Sequence, residues 1–209
     1  MSHVRKTSVS SLGESIMSLV KSLSVVALSG TIVLGLSNPA RSSNLIVNGD
    51  FEAVDIGGTA TIYNSATVPN EFGWSISDDF VYLVNSYWNG ASGSSNLDGF
   101  DQSLELRPQV NFFQSFATEI GRDYELSFLY AHDPDNQQGW GLGNFDVSGT
   151  ETLLSETLFH NLPATRANLN FLQYTGQFTA DSETTTLSFS GDPLNGARGF
   201  VIDGVSVSE

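Results

Sequence analysis

The residues best equipped for chemistry cluster in one connection. His132, Asp133 and Asp135 lie within four positions, and Trp140 follows among Asn136, Gln137, Gln138, Gly139 and Gly141. An exposed indole beside amides and carboxylates can stack on the C–H face of a sugar ring and bond its hydroxyls. Tyr87 and Trp88, just ahead of the Gly/Ser/Asn-rich loop from Asn89 to Gly99, are a second pair of candidate rings. Trp140, Trp88, Tyr87, His132, Asp133 and Asp135 are therefore the candidate ligand-binding residues. Trp74, directly after Gly73, reads as core.

Catalytic equipment is sparse. Histidine occurs at positions 3, 132 and 160 only, and His132 and Asp133 are neighbours that a strand would turn to opposite faces. There is no Gly-x-Ser-x-Gly elbow and no His-Glu-x-x-His motif. The glycines of Gly139-Trp140-Gly141-Leu142-Gly143 lack the lysine and following helix of a phosphate loop. Asp78 and Asp79 are adjacent and read as a turn. The expectation is a protein without catalytic activity.

The elements that must position these residues read as strands. Apolar and polar residues alternate in Ser103 to Leu106, at the start of Asp123 to Ala131, and in Thr184 to Ser190. Further strands are expected at Asn44 to Val47, Phe80 to Val84, Val110 to Thr118, Asn144 to Ser148, Leu153 to Phe159, Leu169 to Thr179 and Phe200 to Val207. Gly, Asn and Asp mark the joints, and no segment holds a 3.6-residue apolar period. This predicts an all-β, antiparallel jelly-roll β-sandwich spanning residues 43–209 as a single domain. A short helical turn is expected near Asp78 or around Thr165 to Asn168.

Ahead of it, residues 1–42 read as a signal peptide, with a possible true start at Met17. Lys21 precedes an apolar run from Leu23 to Leu36, too short for the ~20 residues of a membrane span. Ala40 and Ser42 suit cleavage before Ser43. A secreted or cell-surface protein is expected, with no stable membrane insertion after cleavage. Cysteine is absent, so no disulfide staples the body.

Charge narrows the partners. Four of the eight basic residues precede residue 42, whereas 22 of the 23 acids follow it, so the body carries a formal charge of −18 and no lysine. Such a field repels nucleic acid and anionic lipid and attracts cations.

Two motifs frame the body: Asn48-Gly49-Asp50-Phe51-Glu52 near its start and Ile202-Asp203-Gly204-Val205-Ser206-Val207 at its end. Between them lie Gly73-Trp74, Asp98 to Leu106, Phe113 to Thr118 and Tyr124 to Phe128. In this order they resemble the galactose-binding-like jelly rolls, and among these the domain-of-unknown-function family 642. They are also similar to the carbohydrate-binding modules attached to xylanases. The resemblance implies an extracellular, non-catalytic binding module for a polysaccharide or other matrix glycan. The alternative is a structural or adhesive surface protein that engages protein partners or itself. The resemblance also implies a structural calcium, with side chains from Glu52 and Asp203 and a carbonyl from Asp50. A carboxylate inside the apolar strand around Asp203 needs either a cation or hydrogen-bond donors.

Overall fold

The computed structural model describes residues 43–91, 102–196 and 198–209. The expected signal peptide and the Asn89 to Gly99 loop beyond Ala91 lie outside the described residues. Among the described residues no helix is long and apolar enough to cross a membrane.

The body is an antiparallel jelly-roll sandwich of two sheets. The strands are β1 (Ala60–Tyr63), β2 (Ser75–Ser77), β3 (Val81–Val84), β4 (Ser103–Leu106), β5 (Asn111–Ala117), β6 (Asp123–His132), β7 (Gly141–Ser148), β8 (Thr152–His160), β9 (Leu172–Thr179), β10 (Thr184–Gly191) and β11 (Phe200–Ser208). One sheet has the order β1-β3-β4-β11-β6-β9, the other β2-β5-β10-β7-β8. Alternation sets the faces: in β5, Phe112, Gln114 and Phe116 are buried while Asn111, Ser115 and Ala117 are exposed. The inward positions build one aromatic core, in which Trp74 stacks on Phe112 with ring centroids 4.5 Å apart.

The structure departs from the sequence reading in three places. Asn44 to Val47 is not a strand. It is held to the closing strand by the Asn44 side chain, which accepts from Val207 N and donates to Val205 O. β1 and β2 are too short for alternation to announce them. The short helical turns are 3-10 turns at Asn70–Phe72 and Pro193–Asn195, not near Asp78 or Thr165.

The framing motifs now have a physical reading. Val205 N donates to Gly49 O at 2.8 Å, and a Cβ on Gly49 would lie 1.9 Å from Val205 O, so only glycine lets the two ends meet. Phe51, at a left-handed φ of 61°, is fully buried against Phe72, Trp74 and Phe112. The Trp74 indole N–H donates to Asn48 O at 3.0 Å. Each end of the domain thus anchors the other.

Candidate functional site

Pairing register places Tyr82, Glu105, Val201 and Ala131 side by side on the outward face of the six-stranded sheet. Val84, Ser103, Asp203 and Leu129 lie on the same face one step along. An open face would expose these residues, yet Val84, Ala131 and Val201 are at most 2% exposed. Two chain segments cover them. Trp88 and Leu169 pack on this face as a second apolar cluster, with Phe171 and Tyr82 at its margin. The Trp88 indole N–H donates to Ser103 Oγ at 2.9 Å, and Ala91 N donates to Asp203 Oδ2 at 3.2 Å. Asn89 joins the two covering segments by bonds from its backbone N to Arg166 O and from its side chain to Ala167 O, both 2.8 Å.

Beside this cover the face stays open as a pocket of about 310 Å³, lined by Tyr82, Tyr87, Glu105, Arg107, Asp133 and Arg198, with Thr59, Ala60, Val84 and Trp88 completing the wall. Glu105 projects outward from β4 because the strand alternates. Its Oε1 accepts from Gly199 N at 2.9 Å, and a Cβ on Gly199 would lie 2.6 Å from that oxygen. Burial, reinforced by the neighbouring Asp133, pushes the Glu105 carboxyl up to about 7. Asp133, just past the end of β6, is 1% exposed. Its Oδ1 accepts from Asp135 N at 2.7 Å. Its Oδ2 has no hydrogen-bond donor among the described residues, and the Arg198 guanidinium stands 3.6 Å away. Burial raises the Asp133 pKa, opposed by the Asp135 amide and Arg198. Arg107 lies over the Phe80 ring, 5.4 Å from its centroid.

The rim is a locked network. Arg166 stacks over the Tyr87 ring at 4.0 Å and bonds Asp135 through Nε at 3.1 Å and a terminal nitrogen at 2.6 Å. The Tyr87 hydroxyl donates to Asp135 Oδ2 at 2.6 Å. One face of Tyr87 is therefore occupied by a guanidinium.

Of the six residues expected at a ligand site, Tyr87, Trp88 and Asp133 line this pocket and Asp135 braces its rim. Trp88 needs correction as a stacking ring: at 3% exposure it supports the wall from within the cover. His132 also lies elsewhere than expected. It ends β6, buried, with Nδ1 2.7 Å from Nδ1 of His160. His160 Nε2 faces the carbonyl of Asn170 at 2.9 Å, so it carries the proton, and the shared bond then runs from His132 to His160. Burial, reinforced by the neighbouring His160, lowers the His132 pKa to about 4. Trp140 is half-buried against Phe159, with ring centroids 6.0 Å apart, and does not line the pocket. Sequence reasoning missed Tyr82, Glu105, Arg107 and Arg198. The outward alternation of Glu105 in Ser103 to Leu106 was the one available signal.

Of the residues expected to hold calcium, Glu52 and Asp50 lie near enough for their charges to act on Asp203. Asp203 is fully buried on the outward face of β11, and its oxygens accept from Ala91 N and Gly204 N. Burial raises its pKa well above the ordinary range, and the nearby charges of Glu52 and Asp50 push it further. Glu52 accepts from Gln102 N at 2.6 Å and from the Gln102 side chain at 3.3 Å. Among the described residues no three His, Asp or Glu side chains converge as a metal-binding group. The donor set is all oxygen, two carboxylates and the Asp50 carbonyl, which suits calcium, and further ligands would have to come from backbone carbonyls or water.

No family model and no curated protein matches this chain, so its likeness to family 642 rests on the motifs alone. Solved structures do match. The arabinose-bound α-L-arabinofuranosidase MgGH51 aligns at 12% identity and a TM-score of 0.53 over 80% of this chain, which spans 26% of the enzyme. A family 4 carbohydrate-binding module aligns at 17% identity and a TM-score of 0.45, covering 78% of this chain and 98% of the module. TmCBM61, in complex with β-1,4-galactotriose, aligns at 14% identity and a TM-score of 0.45, covering 80% of this chain and all of that one. Identity this low speaks for the fold alone.

Proposed function

We propose that this protein is a secreted, non-catalytic glycan-binding module whose ligand enters the pocket of Glu105, Arg107, Asp133 and Arg198. The observation that carries the reading is Asp133 Oδ2, buried without a hydrogen-bond donor in a pocket of paired acids and guanidinium groups. A buried acceptor left unmade is costly, and a ligand hydroxyl would supply the donor. Arg198 stands where it can donate to a neighbouring hydroxyl. Acceptor and donor side by side match two adjacent hydroxyls of a sugar, while Tyr82 offers an apolar wall. Carbohydrate-binding modules among the structural neighbours agree with this reading without carrying it.

A second reading, glycoside hydrolysis, draws on Glu105, whose raised pKa is the kind a general acid needs. Binding is preferred because Glu105 and Asp133 each spend an oxygen on a backbone amide.

A glycan array probed with the purified protein tests both. Selective retention of one polysaccharide class is expected, lost in Arg198→Ala and reduced at least about ten-fold in Asp133→Asn, the equivalent of ~1.4 kcal/mol. No reducing sugar should be released from the bound glycan. Unchanged retention in both variants would move the site elsewhere.

We further propose that calcium sits among Glu52, Asp203 and the Asp50 carbonyl, where it would neutralise a buried carboxylate and tie the opening motif to the closing strand.

A further inference from the structure

A glycan bound along a sandwich face needs a continuous groove across the strands. Here the face of the six-stranded sheet is filled partway across. Trp88 spans from β3 to Ser103 on β4, Ala91 reaches Asp203 on β11, and Leu169 packs with them on Ala131 and Val201. The two covering segments are joined through Asn89, so they close the face as one layer. Among the described residues, what remains is divided. The pocket of Asp133 and Arg198 lies at one side, and a separate hollow of about 290 Å³ between Ala91, Leu129, Asn168 and Phe171 lies at the other. The Arg166–Asp135–Tyr87 network fixes the rim. At about 310 Å³ the pocket is at the small end of ligand sites, which run roughly 300–1,000 Å³.

We infer that the pocket takes the end of a glycan chain, one or two sugar units, and excludes an internal run. This rests on the glycan reading above and narrows it. A terminal unit presents its hydroxyls to Asp133 and Arg198 while the rest of the chain leaves into solvent. An internal unit running across the sheet would have to continue through Trp88 and Leu169, which are core.

Titration calorimetry on the whole protein tests the inference, using oligosaccharides of xylan, cellulose and β-1,4-galactan from one to six units. For the series that binds, the Kd is expected to stay within about two-fold from two to six units. Partial hydrolysis of the parent polysaccharide should raise binding sites per gram in step with chain ends. A Kd that falls by more than about ten-fold (~1.4 kcal/mol) between two and six units, or a capacity set by mass alone, overturns the inference and leaves glycan binding intact. Failure of every series and of the array overturns both.

Discussion

Glu105 and His132 have pKa values displaced in opposite directions from their ordinary ones, and this fixes how stability responds to pH. Glu105 moves from 4.5 to about 7, so the unfolded chain gives up its proton first. Stability is therefore highest from this group below pH 4.5, falls as pH rises to about 7, and levels off above it. The full displacement is worth about 3 kcal/mol. Glu105→Gln keeps the acceptor for Gly199 N and should remove the Glu105 share of the decline, making the fall shallower in urea melts across that range while the share of Asp133 and Asp203 remains. His132 moves from 6.5 to about 4, so here the unfolded chain binds the proton first. Its neutral ring costs stability as pH falls from 6.5 to about 4, which should remain visible in the Glu105→Gln variant.

The element that distinguishes this sandwich is the layer over its six-stranded sheet. Trp88 is its centre, buried and bonded to Ser103. Trp88→Ala should cost about 3–5 kcal/mol, the usual range for removing a buried aromatic side chain. Trp88→Phe should cost about 1 kcal/mol, chiefly the lost indole bond. Equilibrium urea unfolding measures both, and a near-neutral Trp88→Ala would show that the layer detaches from the sheet.

The whole molecule carries a strongly acidic body with its terminal motifs bound to each other. If calcium occupies the Asp203 cluster it binds only the folded chain, because unfolding separates Glu52 from Asp203. Chelation should then lower the melting temperature by several degrees, and millimolar calcium should restore it. A calorimetric melt that does not change between the two conditions removes calcium from the account.

The sequence by itself determined the sheet architecture, since two-residue alternation with Gly, Asn and Asp at the joints admits little else. Most strand bounds followed from it, while the grouping of Glu52 with Asp203 came only from the resemblance and the contact of Gly49 with Val205 only from the fold. It also picked out Tyr87, Asp133 and Asp135 as residues with chemistry. It could not tell that Trp88 is buried or that Trp140 lies away from the pocket, because an indole suits a core and a ligand face equally. The pocket itself was illegible. Glu105, Arg107, Asp133 and Arg198 come from separate strands and connections, and only the register of β4, β6 and β11 sets them side by side. Whether the outer face is open or covered was likewise a tertiary decision. It depends on Asn89 meeting Arg166 and Ala167, a pairing of residues far apart in the chain that no local pattern encodes.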